Sequence, residues 1–241
     1  MQSAIAGENS MSLKKFAPPG LYIPTLYFIE GLPYILVNSV SVYMFKSFGL
    51  SNRFIGLAGI LMLPWVLKML WAPLVDITSS KRQWTVVMQF ILAVCTLATA
   101  AAFHLSFMAT FVVLFLFLTA FASATHDIAA DGYYLLALDS NKQAFFVGIR
   151  STAYRIAMIA GGGIAAAAGM LERVTKDIPF SWSTAYGAIA LVFLGSYFFH
   201  RRFLPRPENS IAPIVSSGIP PFFQAFRTYF QQPKIVVILL F

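Results

Sequence analysis

Six apolar runs follow one another along this chain, at roughly 21 to 47, 53 to 76, 84 to 104, 107 to 136, 143 to 170 and 182 to 199. A helix needs about 20 apolar residues to cross the hydrocarbon of a bilayer. The runs meet that length, so they predict an all-α, polytopic membrane protein with no large soluble domain. Composition agrees: 59% of the residues are hydrophobic and only 11% charged, whereas soluble domains carry about 25% charged residues.

The formal charge of +8 is no sign of nucleic acid, because Lys and Arg lie in short loops between the apolar runs and form no compact basic patch. Lys14, Lys15, Lys81, Arg82, Lys142, Arg201, Arg202 and Arg206 fall on one side, against Lys46, Arg53, Arg173 and Lys176 on the other. The excess places the N-terminus and the tail in the cytoplasm. No signal peptide is legible before Pro18-Pro19-Gly20, and Met11 is an alternative start. Cys95, in an apolar helix, has no second cysteine to bridge. Trp65, Trp71, Trp84 and Trp182 fall towards helix ends or kinks, as interfacial rings do.

Pro33 in the first run, and Pro64 and Pro73 in the second, each remove a backbone donor and predict kinks. The run Ala160-Gly161-Gly162-Gly163-Ile164-Ala165-Ala166-Ala167-Ala168-Gly169 has almost no side chain and predicts close helix packing. Residues 1–20 read as a cytoplasmic segment, 21–200 as the six-helix bundle and 201–233 as a cytoplasmic linker. Residues 234–241 begin a seventh apolar run too short to span. The organisation is that of the first half of something longer, truncated at the start of helix seven.

The residues that most need explaining are ionisable. Taking the turn between the fourth and fifth runs near Asp139-Ser140-Asn141 and counting back at about 1.5 Å per residue puts Asp127 and Arg150 at similar depth. Asp131 lies one turn from Asp127 on the same face, and Arg155 lies deeper. Glu30 and Lys68 fall in the same half of the bilayer. A charge at membrane depth costs about 2.5 to 3.5 kcal/mol even on lenient scales, so such groups pair or face a watery cavity. Asp131 and Arg150 suit a fixed salt-bridge lattice, whereas Arg155, Lys68, Asp127 and Glu30 suit a solute pathway in which a carboxyl takes up and releases protons. His126 reads either as a hydrogen-bonded packing residue or as a proton carrier.

The second run ends Ala72-Pro73-Leu74-Val75-Asp76, with Lys81-Arg82 across the turn. This resembles the loop between helices two and three of the major facilitator superfamily, where an acid and following bases latch the cytoplasmic side. Ala72, Ile77 and Ser79 depart from that pattern. Gly31-Leu32-Pro33, Leu67-Lys68-Met69-Leu70-Trp71-Ala72-Pro73-Leu74-Val75-Asp76, Ser123-Ala124-Thr125-His126-Asp127-Ile128-Ala129-Ala130-Asp131 and Tyr154-Arg155-Ile156-Ala157-Met158, followed by Gly161-Gly162, resemble the AmpG-type muropeptide permeases. These are a branch of that superfamily that also holds the acetyl-CoA transporters. The likeness runs from about Tyr22 to Phe199 with the motifs in order.

The resemblance implies the N-terminal half of a twelve-helix carrier in a bacterial inner membrane, importing anhydro-muropeptides on the proton gradient. His126 stands where better-known members have Gln, and Glu30 adds an acid to the first helix, so a similar anionic or peptidic solute is the wider expectation. In that reading Arg155, Lys68 and Tyr154 bind the solute, Asp127, Glu30 and His126 handle protons, and Asp131, Arg150, Asp76, Lys81 and Arg82 form the gating ion pairs. The expected partners are a small solute, protons, lipid and the missing C-terminal six helices. Two other functions compete. Asp127 and Asp131 also resemble half of the Mg²⁺-binding carboxylate set of intramembrane prenyl or phosphatidyl transferases, but the second Asp cluster is missing, and Arg150 and Arg155 would compete with the metal. No enzyme activity, cofactor or metal is therefore expected. A non-transporting module, or six helices that dimerise, is the remaining alternative.

Overall fold

The computed structural model describes residues 16–207 together with Arg227 and Gln231. Lys14 and Lys15, most of the expected linker at 201–233 and the seventh run at 234–241 lie outside the described residues. Within them there are six helices long and apolar enough to cross a membrane: α1 Pro19–Ser47, α2 Asn52–Leu70, α3 Lys81–Ala102, α4 Met108–Ala137, α5 Ser140–Thr175 and α6 Ile178–Phe203. The all-α, multi-pass reading therefore stands.

Several helices run past the apolar stretches that marked them, because polar caps rather than hydropathy set their ends. Ser80 accepts from the Gln83 N–H at 3.1 Å to start α3, Asp139 from Lys142 at 2.9 Å to start α5, and Asp177 from Phe180 at 2.8 Å to start α6. Each satisfies a donor that has no partner inside its helix. At the far end of α5 the chain turns through Lys176, whose φ of 58° is left-handed.

The prolines act where expected, though not all in the same way. Pro33 removes the donor owed to the Ile29 carbonyl, and α1 widens into a π-helical stretch over Leu36–Val40 just beyond it. A second proline, Pro24, also sits within α1. The second apolar run is divided further than predicted. It tightens to 3₁₀ geometry over Ala58–Met62 and Lys68–Leu70, breaks at Trp71 (φ −116°, ψ 0°) and restarts as a short helix, Ala72–Thr78. Pro64 and Pro73 each fall in the first turn of a new α-helical piece, where a missing N–H costs nothing.

The helices α3, α4 and α6 enclose one part of the core, with Leu92, Val112, Leu116, Tyr186 and Phe193 inaccessible. A second cluster, built on Tyr22, Ile23, Leu26, Tyr133 and Phe146, joins α1, α4 and α5. Trp182 departs from the interfacial expectation: it is fully buried in the α6 packing. The α1–α5 contact leaves no room for a side chain at two of its glycines. A Cβ at Gly31 would lie 2.9 Å from the Tyr154 carbonyl oxygen, and one at Gly161 would lie 2.5 Å from Ile35 Cγ2. Ala153, Ala157, Gly161 and Ala168 form the buried stripe of α5. The small-residue run as a whole is not a seam, because Gly162, Gly163 and Gly169 have nothing within 4 Å of an added Cβ. A period of 3.6 turns only part of such a run towards one neighbour. Helices α2 and α5 present their other faces outward, with Leu57, Val66, Ile159 and Val174 exposed.

Candidate functional site

The α1–α5 seam and the broken part of α2 bring the ionisable residues together. Tyr27 and Glu30 stand one turn apart on α1, Lys68 lies in the 3₁₀ stretch of α2, Asp127 and Asp131 share a face of α4, and Arg150, Tyr154 and Arg155 come from α5. Depth counting placed these groups in one zone; azimuth about each helix decides the pairs. Lys68 Nζ pairs directly with Asp127 Oδ2, the two side chains being 37% and 16% exposed. Arg150 Nη1 lies 3.2 Å from Asp131 Oδ1 and donates to the Tyr27 hydroxyl at 3.0 Å, which in turn donates to Asp131 at 2.8 Å. Its guanidinium also lies over the rings of Tyr27 and Tyr134, at 4.8 and 5.1 Å from their centroids. Arg150 is thus held on three sides.

Glu30 and Arg155 are placed differently. Glu30 is only 9% exposed; its side chain shares a hydrogen bond with Asp127 and has Asp131 and Arg150 as further electrostatic neighbours, and its Oε2 is buried without a partner among the described residues. Arg155 makes no ion pair among the described residues. Both line one cavity of about 320 Å³, shared with Tyr27, Arg150, Ser151 and Tyr154. Tyr154 closes towards Tyr34, 6.5 Å between ring centroids, and Tyr34 packs edge-on against Trp65 at 5.3 Å. Of the expected solute-binding residues, Arg155 and Tyr154 line the cavity, while Lys68 is bound to Asp127 beside it.

Of the three expected proton residues, His126 is separate from this cluster. It is inaccessible and its Nε2 meets Gln89 Nε2 at 3.0 Å; Gln89 Oε1 meets His200 Nδ1 at 2.9 Å, and His200 Nε2 meets Thr25 Oγ1 at 3.0 Å. A buried polar chain thus links α4, α3, α6 and α1. The Gln89 amide presents its NH2 to the His126 ring and its carbonyl oxygen to the His200 ring, so with both rings neutral it satisfies one nitrogen of each. His126 Nδ1 has no partner. Gln89, His200 and Thr25 escaped the sequence reading because neutral polar residues near apolar runs are commonplace; the signal was a Gln within an otherwise apolar stretch of α3.

At the end of the bundle where α2 gives way to α3, Lys81 pairs with Asp76. Arg82 donates to the last carbonyls of α6, from Nε to Leu204 O at 2.9 Å and from Nη2 to Arg201 O at 2.6 Å. A guanidinium at a helix C-terminus satisfies carbonyls that have no partner within the helix and meets the negative end of its dipole. The loop between α2 and α3 is therefore tied both to its own helix and to α6. Among the described residues, no group of three or more His, Cys, Asp or Glu side chains converges as a metal set.

Residues 30–237 match the BT1 family. The chain is 27% identical over 237 residues to a Haemophilus influenzae protein named "Uncharacterized protein", a match covering 95% of this chain and 53% of that one. It is 25% identical over 224 residues to "Putative transporter AmpG 4" of Rickettsia conorii, covering 88% and 52% of the two chains. Against "Putative transporter AmpG 2" of Rickettsia typhi the identity is 24% over 227 residues, covering 92% and 53%. The chain spans about half the length of the curated relatives it matches.

Proposed function

The chain belongs to the BT1 family, and from that premise we propose that it forms the N-terminal six-helix half of a secondary carrier of major facilitator type. The carrier imports anhydro-muropeptides, or a similar anionic or peptidic solute, with protons across a bacterial inner membrane. Its N-terminus and the linker after α6 face the cytoplasm, in keeping with the excess of Lys and Arg there. The names of the Rickettsia relatives support transport as the class of activity. One observation carries the reading: a cavity among apolar helices holds an Arg that makes no ion pair, and a buried acid with an oxygen that has no partner, among the described residues.

In this mechanism Arg155 and Tyr154 meet the anionic part of the solute. Asp127, bound to Lys68, and its neighbour Glu30 are the carboxyls that exchange the proton. When Asp127 takes a proton, Lys68 loses its partner, and the broken segment of α2 that bears it loses one of its ties to α4. Trp71, which donates to Thr125 Oγ1 at 3.1 Å and stacks on Phe121 at 4.6 Å, holds the same segment to α4. The Asp76–Lys81 pair and the Arg82 cap on α6 fasten one end of the bundle, as a latch that opens and closes when two such halves rock about a central site.

Calorimetric titration of the full-length carrier with an anhydro-muropeptide tests the site. Arg155→Ala is expected to weaken binding by about ten- to a hundredfold, the cost of leaving one charge without its partner. Unchanged affinity would remove Arg155 from the site.

A further inference from the structure

Two carboxylates cannot hydrogen-bond to each other. Each is an acceptor only, and a bond forms when one of the two carries a proton and donates it. The side chains of Glu30, on α1, and Asp127, on α4, share such a bond. Glu30 is buried and the Asp127 side chain is only 16% exposed. Two negative charges side by side there would repel with little water to screen them, which is the arrangement that makes a pair of carboxyls keep one proton.

The two ends of that bond touch different things. Asp127 is tied to α2 through Lys68. Glu30 belongs to the cavity wall, with Arg150, Tyr154 and Arg155 of α5. The remaining ionisable neighbours have partners of their own: Asp131 of α4 pairs with Arg150, and Tyr27 of α1 hydrogen-bonds to both. His126, beside Asp127 on α4, meets Gln89 instead. Arg155 makes no ion pair among the described residues. A charge that appears or disappears at Glu30 is therefore felt in the cavity, and one at Asp127 is felt by α2.

We propose that Glu30 and Asp127 share a single proton, and that its position links the solute cavity to the tie between α2 and α4. With the proton on Glu30, Asp127 is ionised and holds Lys68. Transfer breaks the O–H bond on Glu30 and forms one on Asp127, leaving the proton count and net charge unchanged. Lys68 then loses its partner, and Glu30 becomes a carboxylate on the wall that bears Arg155. An anion bound at Arg155 disfavours that carboxylate, so it keeps the proton on Glu30 and α2 tied to α4. By reciprocity, a protonated pair binds the anion more tightly. This deepens the carrier reading and rests on it for the anion at Arg155; the shared proton itself does not depend on transport.

Infrared difference spectra of the full-length protein in micelles read the proton directly, because a protonated carboxyl absorbs apart from a carboxylate. Relative to wild type at neutral pH, one protonated-carboxyl band should be missing both in Glu30→Gln, which removes the group, and in Asp127→Asn, whose amide supplies the donor so that the proton is no longer needed. Asp127→Glu, which restores an acid, should keep the band. A cooperative unfolding transition reports that each variant is folded. A band unchanged in both amide variants, or lost in Glu30→Gln alone, would overturn the sharing. Calorimetric titration with an anhydro-muropeptide tests the link: affinity should fall about tenfold over the pH range in which the wild-type band disappears, and not in Glu30→Gln. The same fall in both proteins, or in neither, would overturn the link. Uptake into liposomes separates these claims from the carrier. The expected band pattern without proton-driven uptake would sink the carrier and leave the shared proton, whereas proton-driven uptake with unaltered spectra would do the opposite.

Discussion

Lys68 and Asp127 are charged residues in spans that are otherwise apolar, and each makes the other tolerable. Their pair is only partly buried, so its worth lies well below that of a fully buried pair. Lys68→Met alone is expected to lower stability by about 1 to 3 kcal/mol because it leaves Asp127 without its cation, and adding Asp127→Leu should restore part of the loss. Thermal unfolding of the single and double variants in micelles checks this; simple additivity would mean that the two side chains do not interact. Asp127→Asn keeps the shape and removes the titrating group, so solute uptake should persist down its own gradient and stop responding to an imposed pH gradient. Uptake in that variant that still follows the pH gradient would clear Asp127 of coupling. Depth counting along the chain found the zone that holds Lys68, Asp127, Asp131, Arg150, Glu30 and Arg155. It did not reveal which acid meets which base, because 1.5 Å per residue reports height, whereas pairing depends on how each helix is turned about its axis. Tyr27, which bridges Arg150 and Asp131, was invisible for the same reason.

Between elements, the α1–α5 contact rests on two glycines where backbone and side chains approach within reach of a Cβ. Inside lipid the exclusion of water from apolar side chains does not draw helices together, so close packing and hydrogen bonds must do so. Gly31→Ala would push a methyl onto the Tyr154 carbonyl and Ala157, and should cost about 1 to 3 kcal/mol by overpacking. Gly162→Ala meets nothing and should be neutral. Unfolding midpoints of the two variants distinguish them, and equal effects would show that the seam lies elsewhere. The small-residue run announced a packing surface, yet only the helical period, applied to a known neighbour, picks out Gly161. A second tie, His126–Gln89–His200–Thr25, spans four helices. Gln89→Leu strands a nitrogen on each imidazole and should destabilise the bundle by about 2 kcal/mol or more, read by the same unfolding measurement; an unchanged midpoint would mean that the chain of hydrogen bonds contributes nothing. The prolines made the interruption of α2 legible, but not its division into 3₁₀ pieces around Lys68, which depends on how α2 meets α4.

For the whole molecule, six spanning helices were evident from length and hydropathy alone, since the bilayer fixes the length of a helix that crosses it. The arrangement of those helices was not, and it is what leaves apolar faces of α2 and α5 uncovered and places the cavity beside α5. Those faces suit lipid or a second set of helices equally, and the carrier account assigns them to the second half, whose helices complete the walls of the solute path. The central claim is that this half couples the entry of a solute to protons. The most direct measurement is uptake of a radiolabelled anhydro-muropeptide into liposomes bearing the full-length protein, under an inward proton gradient and again with a protonophore. The account predicts accumulation above the external concentration that collapses when the protonophore is added. Accumulation indifferent to the protonophore, or mere equilibration across the membrane in both conditions, would contradict it.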